Sequence, residues 1–240
     1  MAGKALRFWE VDAVRGVTVL MMILFHALFD LWYFMGFNVI LDSGFWLVFA
    51  RATLIMFLFL VGVSLSISHS RIEGTLNQGE VTRKYVRRGL RIFGYGIAIT
   101  AVTLAAFPQS AIWFGVLHLI GISIILAIPV LSHRKAALPL GVVLVLAGAL
   151  LMQLTFNYPW LLPLGLLPAG LYTFDYVPLL PWFGVVLLGL FFGGAAYKNR
   201  KPKSGPSVAK PLCFIGRHSL FIYLTHQLVL VGCILVLLSF

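Results

Sequence analysis

His26 and Asp30 stand four residues apart in an apolar stretch, so on a helix they share one face and can hydrogen-bond. An imidazole beside a carboxylate is the usual layout of a general base, which needs an acceptor hydroxyl or amine to deprotonate. His118, within Trp113-Phe-Gly-Val-Leu-His118-Leu-Ile-Gly121, and His226 are set in apolar surroundings too. Arg51 is the one basic residue inside an apolar run. It falls about 9 Å into that run, and Asp30 lies about 21 Å beyond Gly16, which puts the two near one depth. They are expected to pair, either as a structural ion pair that fixes helix order or to position a substrate. Ionisable groups in hydrocarbon cost several kcal/mol each unless they find partners or water, so this set is expected to face one wet cavity. A metal is not expected, because the three histidines come from separate segments with no short ligand spacing.

A second group is electrostatic. Arg83-Lys-Tyr-Val-Arg87-Arg88-Gly-Leu-Arg91 holds five basic residues in nine positions, in what reads as a loop before a span. One reading is orientation plus attraction to anionic lipid, worth about 1 kcal/mol per basic residue. The other is a phosphate site, since Arg87, Arg88 and Arg91 approach a helix start and guanidinium forks suit phosphate. His69, His133 and His218 fall at the edges of apolar runs, where solvated or headgroup-facing roles are expected.

The elements that must position these residues are membrane spans. Of 240 residues, 61% are hydrophobic and 10% charged, and the mean hydropathy is +1.01; a soluble domain of that composition has too few polar residues to cover its surface. A span needs about 20 apolar residues. Seven are expected: Val17 to Phe37, Phe45 to Ser68, Leu90 to Phe107, Ala111 to Leu131, Ala136 to Phe156, Val177 to Tyr197, and Ser219 to Phe240. The segment Trp160 to Tyr172 is too interrupted by proline to span and is expected to lie in the interface or re-enter the bundle. The fold class is therefore an all-α polytopic bundle, read as one domain over residues 1–240.

The basic residues fix the orientation. The net charge of +11 invites comparison with nucleic-acid binders, but the basic residues lie in short clusters between apolar runs, which excludes a phosphate-tracking groove. All of the 18 Lys and Arg except Arg51 fall in the amino-terminal segment or in alternate loops, and the loops around Asp42, Pro108 and Asp175 have none. That places the amino terminus in the cytoplasm. Cys213 and Cys233 are the only cysteines; on one continuous helix they are about 30 Å apart, too far to bond. Gly189 and Gly193 form a small-xxx-small step, a weak signal of close helix packing. No internal repeat is evident.

Asp12-Ala-Val-Arg15-Gly16, followed after nine residues by His26, resembles the opening of the transmembrane acyltransferase superfamily. The closer likeness is to the heparan-α-glucosaminide N-acetyltransferase catalytic-domain family and its small prokaryotic relatives. It is carried further by Phe57-Leu-Phe-Leu-Val-Gly62-Val-Ser64, by Phe114-Gly115-Val-Leu-His118-Leu-Ile-Gly121, and by Gly216-Arg217-His218-Ser219-Leu220 with Tyr223 and His226. The resemblance implies transfer of an acyl group from acetyl-CoA or another acyl-CoA in the cytoplasm to an extracytoplasmic sugar or lipid-linked acceptor. His26 is then the base or acyl carrier and Arg15 its partner toward the donor, with Asp12, Asp30 and His118 completing the catalytic set. Arg51, Asp175, Tyr223 and His226 become acceptor-binding candidates, and Arg83, Arg87, Arg88 and Arg91 hold the phosphates of coenzyme A. The implied setting is a multi-pass protein of a prokaryotic plasma membrane, with membrane lipids as partners, no nucleic acid, and a homo-oligomer as an open alternative. The rival reading is a proton-coupled transporter or flippase, since intramembrane His and Asp also mark proton relays. A third is a membrane subunit whose ion pair serves assembly alone.

Overall fold

A computed structural model describes residues 7–152, 158–166, 168 and 170–239. The helices are α1 (Trp9–Met35), α2 (Gly44–Ser70), α3 (Gln78–Ala106), α4 (Val116–Leu126), α5 (Ile128–Leu131), α6 (Ala137–Leu151), α7 (Leu179–Tyr197), α8 (Lys210–Arg217) and α9 (Ser219–Leu238). Among the described residues the only β pairing is an isolated bridge between Phe114 and Tyr176. Among the described residues six helices are long and apolar enough to cross a membrane: α1, α2, α3, α7, α9, and α6 taken with the 3-10 turn before it; α4 is a shorter apolar helix. The protein is thus an all-α, multi-pass membrane protein.

Three boundaries differ from the sequence expectation, each for a local reason. The fourth span is α4 followed by the single turn α5. Pro129, in the first turn of α5, has no N–H to continue the helix across Ala127. The fifth expected span reaches Phe156, and its last residues lie outside those described; so do Leu167 and Ala169 of the Trp160–Tyr172 segment, whose described start is a 3-10 turn over Pro159–Leu164. The third difference matters most for function. Asn77 accepts a hydrogen bond from the Glu80 amide at 2.9 Å, and Glu80 accepts from the Asn77 amide at 2.9 Å. This capping box starts α3 at Gln78, so Arg83 to Arg91 form helical turns of α3 and not a loop.

The chain divides into two compact units, residues 1–57 with 201–240, and residues 58–200. In the first, α1 packs on α8 and α9. In the second, α3 packs on α4, and α6 on α7. The Gly189 and Gly193 step has a packing role there. A Cβ on Gly189 would strike the Phe59 backbone, one on Gly193 would lie 2.9 Å from the Val63 Cα, and one on Gly62 would strike the carbonyl of Val186. The second half of α2 and α7 therefore meet backbone to backbone, which permits dense van der Waals contact where no hydrophobic effect drives helices together. Large apolar side chains stay on the outside, such as Leu146 and Leu150 on α6, as lipid contact requires.

Candidate active site

In the first unit the Asp12-Ala-Val-Arg15-Gly16 motif falls in the first and second turns of α1, against α8. A Cβ on Gly16 would strike the Leu212 carbonyl, and one on Gly216 would strike the Asp12 carbonyl. The two glycines thus let α1 and α8 touch along their backbones. Asp12 is buried, and its Oδ1 accepts from Arg15 Nη1 at 3.2 Å, one turn away. Cys213 of α8 donates its S–H to the Trp9 carbonyl at 3.3 Å, a further tie at the same contact. Burial raises the Cys213 thiol above its ordinary value, which keeps it protonated and suited to that donor role.

The register set there carries forward. From Gly16 to His26 is ten residues, and from Gly216 to His226 is also ten; on α1 and α9 the two imidazoles meet, with ring centroids 4.9 Å apart in an edge-to-face arrangement. His26 Nδ1 lies 2.9 Å from the Met22 carbonyl, and His226 Nδ1 lies 2.7 Å from the Tyr223 carbonyl. A carbonyl only accepts, so each Nδ1 carries the proton and each Nε2 is left as a bare lone pair. His226 Nε2 is buried without a partner among the described residues. Tyr223 lies over the same site, 5.7 Å from the His226 ring and 6.2 Å from Phe57.

Asp30 completes this group but not as expected. Its side chain is 1% exposed, and its Oδ1 accepts from Gln227 Nε2 at 2.6 Å. The expected ion pair with Arg51 does not form among the described residues: Arg51 is exposed. Its flexible stem is long enough to carry the charge toward the interface, whereas Gln227, a full turn-face neighbour of Tyr223 on α9, reaches Asp30 directly. Gln227 was not among the candidates. It carries no charge to mark it, and its signal was only that of an amide inside an apolar run.

In the second unit His118 stands in the first turn of α4. Its Nδ1 accepts from the Gly115 amide at 3.2 Å. Its Nε2 is 3.4 Å from Thr100 Oγ1, whose own proton goes to the Ile112 carbonyl at 2.6 Å. His118 Nε2 therefore carries the hydrogen, and both ring nitrogens are engaged. Phe114 stacks on the ring and Phe93 meets its edge. Asp175 Oδ2 accepts from the Val116 amide at 3.1 Å, so a carboxylate caps the positive end of α4. Burial nevertheless raises Asp175 to about 6, against the lowering by that amide. Gly115 is needed at this crossing, because a Cβ would lie 2.5 Å from Asp175 Oδ2.

Arg83, Lys84, Arg87, Arg88 and Arg91 are all exposed on α3, while Val81, Tyr85 and Gly89 are buried. Arg83, Arg87 and Arg91 follow at intervals of four, so they form one stripe. His69, expected to be solvated, is buried beside Tyr85, whose hydroxyl donates to Ser68 Oγ at 3.2 Å. Arg134 closes this end by donating to Ser70 Oγ at 2.9 Å and to Glu73 Oε2 at 2.7 Å. Among the described residues no three His, Cys, Asp or Glu side chains lie close enough to hold a metal ion.

The model of a family described as heparan-alpha-glucosaminide N-acetyltransferase, catalytic, matches residues 7–228. No curated protein and no solved structure matches the chain.

Proposed function

The chain belongs to the heparan-alpha-glucosaminide N-acetyltransferase catalytic family, and from that premise we propose that it transfers an acetyl group from acetyl-CoA, with His26 Nε2 as the reacting lone pair. The supporting observation is the tautomer: the Met22 carbonyl holds the proton on Nδ1 and leaves Nε2 free to accept one. In the proposed step the acceptor O–H or N–H gives its proton to Nε2 as its heteroatom bonds the thioester carbon. The C–S bond breaks, and the proton passes from Nε2 to the leaving thiolate, giving free coenzyme A. The same lone pair also suits an acyl-carrier role, in which Nε2 bonds the carbonyl carbon first.

Arg83, Arg87, Arg88 and Arg91 are proposed to hold the coenzyme A phosphates in the cytoplasm, where a helical stripe of guanidinium groups can grip several phosphate oxygens. Arg15, held by Asp12, is proposed to face the donor. Asp30, Tyr223 and His226 are assigned to the side of the acceptor, an extracytoplasmic sugar or lipid-linked group; Arg51, exposed and not paired with Asp30, is left out of that set, and Asp175 is assigned to capping the start of α4. His118, with both nitrogens occupied, is assigned to holding the start of α4 in place. The proposed setting is a prokaryotic plasma membrane.

The test is thiol release from acetyl-CoA by the purified protein in detergent, with His26→Ala beside the wild type. The expected result is that both bind acetyl-CoA and that the variant is slower by a factor of 10² to 10⁴, the usual worth of a positioned base. If neither binds a coenzyme A thioester, the proposal fails.

A further inference from the structure

The α1–α9 contact holds a hydrogen-bonding imbalance. Asp30 Oδ2, Gln227 Oε1 and His226 Nε2 are buried with no partner among the described residues, and beside them His26 Nε2 is left as a lone pair by the Nδ1–H bond to Met22. All four are acceptors. The donors of the group are directed to groups already on these helices: each Nδ1–H goes to a carbonyl of its own helix, and one of the two Gln227 amide hydrogens goes to Asp30. Buried polar groups are nearly always satisfied, and leaving one unpaired costs about 1–3 kcal/mol. Four lone pairs in one place therefore describe the complement of something that donates several hydrogen bonds and accepts few. No Lys or Arg forms an ion pair with Asp30 among the described residues, where the salt bridges are Arg15 with Asp12 and Arg134 with Glu73.

We propose that this cluster binds the acyl acceptor through hydrogen-bond donors alone, and that Gln227 is the residue that selects which group is allowed beside the reacting one. The inference rests on the acetyltransferase reading and narrows its acceptor class. The acceptor presents its reacting hydroxyl or amine to His26 Nε2, and a neighbouring hydroxyl donates to Asp30 Oδ2 and Gln227 Oε1. An anionic substituent at that neighbouring position, such as a sulfate ester, meets only lone pairs and is rejected. A site built to accept hydrogen bonds discriminates strongly, because the wrong ligand leaves its buried groups unpaired. Gln227 acts here through two atoms. Its amide nitrogen fixes the Asp30 carboxyl, and its oxygen faces the ligand.

The experiment compares three soluble acceptors with the purified protein and acetyl-CoA: a pyranoside with free hydroxyls, the same sugar with one amine, and the amino sugar sulfated next to the amine. Wild type is expected to use the sulfated compound with kcat/KM at least about tenfold lower than its unsulfated parent. Gln227→Leu is expected to raise the acceptor KM about tenfold, as loss of one hydrogen bond predicts, while acetyl-CoA binds within about twofold of wild type. A purely structural role would alter both substrates together. Equal use of the sulfated acceptor by wild type overturns the inference whether or not the variant folds, and so does an unchanged acceptor KM in a folded Gln227→Leu. Absence of acetyl-CoA binding by wild type instead defeats the acetyltransferase reading itself.

Discussion

Replacing Gly216 by alanine should damage the site 10 residues away more than it damages the fold. The Cβ at 216 would strike the Asp12 carbonyl and sit 2.8 Å from its carbon and 2.9 Å from Gly16 N, where ordinary contact begins at 3.4 Å. The obstacle is backbone, which cannot rotate aside. Opening the 2.8 Å approach to 3.4 Å requires α1 and α8 to part by at least 0.6 Å, and the shorter carbonyl contact demands more. Overpacking of this kind costs about 1–3 kcal/mol. A displacement of order 1 Å at a reacting centre costs about a hundredfold in rate, and the Gly16–Gly216 contact is what brings His26 opposite His226. The measurement is thermal unfolding in detergent together with acetyl-CoA turnover. Gly232→Ala, in α9 with nothing within 4 Å of its Cβ, serves as the control and should be neutral or stabilising by up to about 1 kcal/mol. If Gly216→Ala matches Gly232→Ala in both assays, the helix contact does not set the register and the reasoning is refuted.

In the second unit, Gly189→Ala should lower the melting temperature because its Cβ strikes the Phe59 backbone, whereas Gly94→Ala, with nothing within 4 Å, should not. Equal melting temperatures would exclude a backbone contact between α2 and α7. Asp175 gives a pH signature. Its folded value of about 6 lies above the unfolded 3.8, so the folded state holds the proton more tightly. Stability is then highest below about pH 4, falls as pH rises toward 6, and levels above it. Asp175→Asn retains an oxygen for the Val116 amide and should flatten that slope; melts from pH 4 to 7 showing the same slope in both proteins would contradict the assignment. Finally, Arg87→Gln with Arg91→Gln should weaken acetyl-CoA binding by about tenfold or more, as charged hydrogen bonds to phosphate predict. The loss should be smaller for dephospho-coenzyme A, and an unchanged Kd for both would remove the α3 stripe from the donor site.

Spans and basic clusters were legible because hydropathy and charge are local properties, each read from a window of neighbouring residues. The Asn77 and Glu80 capping box was local too, and it shows why Arg83 to Arg91 are helical: Arg, Lys and Leu propagate a helix once a cap has nucleated it. Partner identity was not local. Depth along a helix made Asp30 and Arg51 level with each other, but depth says nothing of which face each side chain takes. Asp30 found an amide 197 residues away in sequence, and an uncharged glutamine in an apolar run carries no flag of the kind that made Arg51 conspicuous. For His118 the apolar neighbours told of burial but not of partners: Gly115 and Thr100 engage both its nitrogens at the start of α4. The equal ten-residue offsets from Gly16 to His26 and from Gly216 to His226 lay in the sequence throughout. They acquire meaning only when the two glycines are known to touch, because side chains at equal distances along two chains meet only if the chains start level. Close backbone contact between α1 and α8 supplies that level start, and it is therefore the packing glycines, more than the ionisable residues themselves, that specify where the His26 imidazole stands.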